Sequence, residues 1–304
     1  MLIGMMVVSA SAASYNNLTD KDEIVNKDAV SMLVSLGIIE GKPDGSYAPT
    51  ENVDRAQMAK MLSVIMNKGV DNSALYQSVN SGLTDITSHW AKGHINYCYT
   101  TGIIAGRGNG KFDPDAGVTG SEAAKMLLVA AGYDPAIEGL TGTDWEINTN
   151  ALASKLGIFR NFKGSVAEPL SRDNAALLIY NALDVEMIQS YTTNNYPIVY
   201  SDHRTILSDK YGVIKVEGVV TANEWAILDD DTDTALQEGK TRIYNPDGIL
   251  STTGNTAVAQ DSSANVKTQV FNVSTPVDML GKAVTMYVKK TTILADSTVY
   301  GAPV

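Results

Sequence analysis

A single cysteine, Cys98, stands in a chain of 304 residues. No intramolecular disulfide can form, and no cysteine-based zinc site can be assembled. Histidine is almost as scarce: His89, His94 and His203 are the three, and they show no metal-ligand spacing. Long apolar runs are missing as well. No segment reaches the roughly 20 apolar residues of a membrane-crossing helix, so no membrane span is expected. Positive charge is outnumbered, with 23 Lys and Arg against 34 Asp and Glu and a net charge of −11. Such a surface repels nucleic-acid backbones and anionic lipid, which removes nucleic acid as a partner class. Charged residues make up 19% and apolar ones 44%, too apolar for a disordered chain and too interrupted for a multispanning one. The length leaves room for two or three domains.

Catalytic signatures are also wanting. There is no G-x-S-x-G elbow and no H-E-x-x-H helix. Gly106-Arg107-Gly108-Asn109-Gly110-Lys111 imitates a phosphate loop, but Phe112 stands where Ser or Thr is needed and the segment follows a helix rather than a strand. Carboxylates are plentiful, yet nothing singles out a glycosidase pair. Cys98 lies on the apolar face of its helix and reads as a buried thiol, not a nucleophile. We expect no catalytic residue, no cofactor and no enzyme activity.

What is present is self-similarity. Residues 18–66 contain Leu18-Thr19-Asp20, an apolar-periodic stretch over 29–36, Gly37-Ile38-Ile39-Glu40-Gly41, Pro43-Asp44-Gly45-Ser46-Tyr47, and Val53-Asp54-Arg55-Ala56-Gln57 opening a second periodic stretch. Residues 83–131 repeat the order with Leu83-Thr84-Asp85, Trp90-Ala91, Gly102-Ile103-Ile104-Ala105-Gly106, Asn109-Gly110-Lys111-Phe112 and Val118-Thr119-Gly120-Ser121-Glu122. A worn third copy offers Asp144-Trp145, Leu156-Gly157-Ile158-Phe159 and Leu170-Ser171-Arg172-Asp173-Asn174. Each unit predicts helix, Gly-ended turn, extended loop, helix. In the second copy Ile95, Cys98 and Tyr99 share one helical face, and Gly102 sits at a left-handed C-terminal cap. Thr119 with Glu122 forms a capping box, as Asp54 does with Gln57; Ser171 keeps the cap, but Asn174 cannot reciprocate. Two short helices per unit cannot bury their apolar faces alone, so three units should pack around a pseudo-threefold axis.

This order of residues resembles the S-layer homology domain of bacterial surface proteins, over about 60% of the chain. The resemblance implies a secreted protein held to the cell wall by grooves between repeats. Those grooves would bind a secondary cell-wall polysaccharide or another peptidoglycan-linked glycan, often pyruvylated. It places Arg55 and Arg172 at the motif arginine that meets the acidic glycan, with Asp85 and Trp90 in the second copy and Asp144 and Trp145 in the third as helpers. Gly120 replaces the arginine in the second copy and no Trp follows Asp20 in the first, so at most two grooves are expected to be competent. A guanidinium at a helix start suits a carboxylate, and a Trp face suits a sugar ring. Helix capping alone explains Asp54, Thr119 and Ser171 equally well. Trp90 is otherwise a core anchor, and Lys60 and Lys125, at equivalent places, are otherwise solvated.

The two ends of the chain read differently. Residues 1–8 are apolar and run into Ser9-Ala10-Ser11-Ala12-Ala13, which fits a signal-peptidase site; a short buried strand is the alternative. From about residue 195 the pattern has period two, and 196–200, 213–221, 241–244, 268–273 and 283–289 predict strands. Gly218 suggests a bulge or bend. The expected architecture is α+β and multidomain: a signal remnant (1–12), helical repeats (13–70, 71–135 and a degenerate 136–190) packed as a pseudo-trimer, then a small all-β barrel or sandwich (195–304) serving display or lateral contacts. Asp229, Asp230, Asp231 and Asp233 offer oxygen ligands for calcium or mark a solvated hairpin tip, and 251–265 reads as an exposed loop. The resemblance also admits a homo-oligomeric, self-assembling subunit of a layer, tube or filament.

Overall fold

The computed structural model describes residues 15–228, 235–246, 267–289 and 299–300. The signal segment, the Asp229 to Asp233 cluster and the 251–265 loop lie outside the described residues.

Six helices come in three pairs: α1 (Lys27–Ser35) with α2 (Arg55–Met66), α3 (Lys92–Thr100) with α4 (Gly120–Ala130), and α5 (Trp145–Lys155) with α6 (Arg172–Leu183). The first helix of each pair stops for one reason. Gly37, Gly102 and Gly157 take the left-handed conformation just past the helix end (φ 69°, 78° and 79°), which costs a residue without Cβ little. The second helices start on side-chain caps. Asp54 and Thr119 accept from Gln57 N and Glu122 N while Gln57 and Glu122 reciprocate, whereas Ser171 accepts from Asn174 N with no return bond.

Packing is cyclic. Helix α2 lies on α3, α4 on α5, and α6 returns to α1, while α4 also meets α2 and α6. The extended segments before the second helices meet at the centre and close a ring of main-chain hydrogen bonds. Val53 N donates to Leu170 O (2.8 Å), Leu170 N to Val118 O (2.9 Å) and Val118 N to Val53 O (2.9 Å). All three side chains are buried, and their main-chain groups satisfy one another around the ring.

After α6 the chain forms a hairpin, β1 (Ile188–Tyr191) with β2 (Pro197–Val199), and a short helix α7 (Ile206–Tyr211). Five antiparallel strands follow: β3 (Val213–Asn223), β4 (Thr241–Tyr244), β5 (Thr268–Phe271), β6 (Ala283–Lys289) and β7 (Val299–Tyr300). They are ordered β5-β4-β3-β6-β7, so the described residues form an open sheet and not the expected barrel or sandwich. Its own small core is Ile214, Val216, Val220, Ile243, Phe271, Met286 and Val288. Gly218 is not the bulge: the register slips between Val220 and Ala222. Gly218 is required by a close approach instead, since a Cβ there would lie 2.5 Å from Ile243 Cγ2 and 2.6 Å from Tyr244 O.

Candidate functional site

The ring of helix pairs leaves a groove at each seam. The first lies between the α1/α2 and α3/α4 pairs and is lined by Glu40, Lys42, Gln57, Lys60, Trp90 and Arg172. The second, between α3/α4 and α5/α6, presents Arg107, Glu122, Lys125, Trp145 and Arg55 at corresponding places. The correspondence is visible in the numbering. Lys60 and Lys125 stand 65 positions apart, as do Lys42 and Arg107, while Trp90 and Trp145 each precede their helix-ending glycine by 12.

Two of the residues singled out from sequence sit on the groove surface as platforms. Trp90 is 55% exposed, so it is not a core anchor. Trp145 is half-buried, and Lys125 Nζ lies 5.2 Å from its ring centroid, a cation–π distance. Burial pulls Lys125 below the usual lysine range, with Glu122 opposing the shift. Lys60 Nζ reaches Glu40 at 4.0 Å, and Arg107 is joined to Glu122. The first and second grooves thus each set an exposed or half-exposed indole beside a lysine, with a carboxylate close by.

The motif arginines do something the sequence did not reveal. Each reaches across to a different helix pair from its own. Arg55, only 4% exposed, donates Nε to Phe112 O (2.9 Å) and Nη2 to Ala105 O (3.1 Å) and lies 4.4 Å over the Phe112 ring. Arg172 repeats this from α6 to the first pair, donating Nε to Tyr47 O (2.7 Å) and Nη2 to Glu40 O (3.3 Å), with Tyr47 under it at 4.8 Å. Burial pulls Arg55 below its ordinary range, and the Glu122 carboxylate 3.6 Å away opposes that. These side chains stitch the ring first and form the groove wall second.

Gly120 shows why the third stitch is missing. A Cβ at that position would sit 2.9 Å from Val166 Cα, and Ser121 N already donates to Val166 O at 2.9 Å. Main chain occupies the place of the side chain. Asp85 is likewise committed: its carboxylate accepts from Phe112 N (3.0 Å) and Asp113 N (2.8 Å), as Asp20 accepts from Tyr47 N and Ala48 N (both 2.7 Å). Burial pushes Asp85 up, but those N–H groups outweigh it and hold the carboxyl below the usual range. Asp85 staples a loop and does not line either groove. Asp144 is exposed at the start of α5 and caps nothing with its side chain.

Sequence reasoning missed Lys42 and Arg107 as groove cations. The signal was their shared offset of 65, the same that relates Lys60 to Lys125. Among the described residues no group of three or more His, Cys, Asp or Glu is placed to hold a metal ion, and no helix is long and apolar enough to cross a membrane.

Residues 17–59 and 82–124 match the S-layer homology domain. The two matched stretches are the first and second helix pairs up to the starts of α2 and α4. A "Cell surface protein" of Thermoanaerobacter kivui is 28% identical over 81% of this chain and 30% of its own length. An "S-layer protein" of Bacillus licheniformis is 31% identical over 40% of this chain and 13% of its own. A protein of Bacillus anthracis named as an "Uncharacterized cell wall amidase" is 26% identical over 47% of this chain and 27% of its own. The chain spans under a third of the length of these relatives. Two S-layer homology repeats, with S-layer and cell-surface relatives, place it at the bacterial cell wall or cell surface as a wall-anchored protein.

Proposed function

We propose that the first and second grooves bind an acidic secondary cell-wall polysaccharide, or another peptidoglycan-linked glycan, and that this chain itself is non-enzymatic. The observation that carries the reading is the paired indole and lysine at both seams, Trp90 with Lys60 and Trp145 with Lys125. An indole face takes a sugar ring by apolar contact, and the lysine supplies the charge a carboxylate needs. Arg55 and Arg172 shape the groove floor. The cyclic helix packing and the closed ring of main-chain bonds support reading α5/α6 as a third repeat and the whole as a pseudo-threefold unit. A chain of net charge −11 repels an acidic polymer at long range, so attraction is concentrated at these points.

The test is sedimentation of the protein with purified cell walls. Trp90→Ala and Trp145→Ala should each cost about 1.4 kcal/mol, roughly tenfold in affinity, and the double variant should stay in solution. Equal recovery on walls stripped of their secondary polymer would overturn the reading. A second role, lateral self-assembly into a surface layer, is favoured by the relatives named as S-layer proteins. A chain that stays monomeric by light scattering at high concentration, with and without calcium, would count against it.

A further inference from the structure

The third seam, between α5/α6 and α1/α2, is built differently. At the positions of the groove indole, lysine and arginine it carries Val25, Leu177 and Gly120. All three groove-forming side chains are lost together, in the one groove against which the sheet packs. Tyr287 and Tyr180 share a hydroxyl–hydroxyl hydrogen bond of 2.7 Å, and Lys215 Nζ lies 3.3 Å from Asp184 Oδ2. The sheet does not fill the seam. A cleft remains, walled by the start of α1, the loop after α5, α6, and strands β3 and β6.

Its lining is basic in an acidic protein: Lys27, Arg160 and Lys215 against Asp28. Lys215 is already balanced by Asp184 and Glu217 (3.3 and 3.2 Å), but neither Lys27 nor Arg160 has an ion-pair partner among the described residues. Arg160 is also held in place. Asn181, 4% exposed, donates Nδ2 to the Arg160 carbonyl at 2.9 Å and accepts from Arg160 Nη2 at 3.3 Å. The guanidinium is thereby fixed with most of its donors unused. Asp28 is exposed at the rim of the cleft, and desolvation by the surrounding chain raises its carboxyl above the ordinary aspartate range. Thr285 and Tyr287 bring hydroxyl groups to the opposite wall.

We propose that the sheet and the third seam together form a composite binding site for an acidic saccharide. Arg160 grips the carboxylate with its fork, Lys27 adds a second charge, and Thr285 with Tyr287 faces the sugar hydroxyls. The site shares no side chain with the other two grooves, so it stands or falls apart from their glycan reading.

The test uses the full chain, methyl-labelled, titrated with tetragalacturonate and followed by NMR. Saturable shifts are expected at the Thr285 and Ala29 methyls, and cellotetraose, which is neutral, should leave both unmoved. Arg160→Gln with Lys27→Gln should weaken the response at least tenfold at unchanged melting temperature, since both side chains are exposed; Trp90→Ala with Trp145→Ala should leave it intact. Shifts confined to the first two grooves, no saturable shift at Thr285, or a response indifferent to loss of both charges would each overturn the proposal.

Discussion

Replacing Arg55 by alanine separates the stitching role of the motif arginine from a ligand role. The side chain is 4% exposed and gives two charged-donor hydrogen bonds to carbonyls of the next helix pair, Phe112 O and Ala105 O. Such bonds are worth about 1.5–3 kcal/mol each, and their loss orphans two acceptors. Against this, alanine no longer has to desolvate a guanidinium, so the lower end applies and the net loss is roughly 3 kcal/mol. For a unit the size of the helical ring that corresponds to a fall in melting temperature of about 6–12 °C. Arg55→Lys should recover about half, because one ammonium cannot span two carbonyls that a planar fork serves at once. The assay is thermal unfolding by circular dichroism, with amide exchange read at 105–112, where protection should drop first. An Arg55→Ala protein that melts within about 2 °C of the parent yet no longer binds walls would refute the reasoning and make Arg55 a ligand contact.

Gly120→Arg, which restores the expected motif residue, should lower stability by about 1–3 kcal/mol through overpacking against Val166 and gain no wall binding; calorimetry with wall sedimentation checks both. Burial holds the Cys98 thiol well above its ordinary range, so Ellman's reagent should react with it only as the protein unfolds, and rapid labelling of native protein would contradict the packing. His94 is pulled down chiefly by burial, with Asp71 opposing and Lys60 assisting. A histidine whose folded value is depressed stabilises the fold above its unfolded value, about 6.5, and loses that contribution as pH falls below it. The melting temperature should therefore drop less between pH 7 and 5 in His94→Gln than in the parent, and parallel curves would remove His94 as the cause.

Much of the helical part was readable from short-range pattern. Helix-ending glycines, capping boxes and strands β4 and β6 each depend on a few neighbouring residues, and local chemistry decides them. Helix α7 escaped notice because six residues give no periodicity to read, although Thr205 and Ser208 form a capping box and Gly212 ends it at φ 61°. The barrel expectation failed for another reason: strand count says nothing about closure, which depends on whether edge strands meet.

From the amino-acid order alone come the repeat, the caps that start and stop its helices, and the excess of acidic over basic side chains. Only the tertiary structure decided which pair each arginine serves, that Trp90 faces outward, that Asp85 staples a loop, and that the sheet packs against the seam lacking indole, lysine and arginine. The physical reason is distance along the chain. A cap joins atoms three residues apart, whereas Arg172 meets Tyr47 and Tyr180 meets Tyr287 only because the three helix pairs close into a ring and the sheet folds back on it.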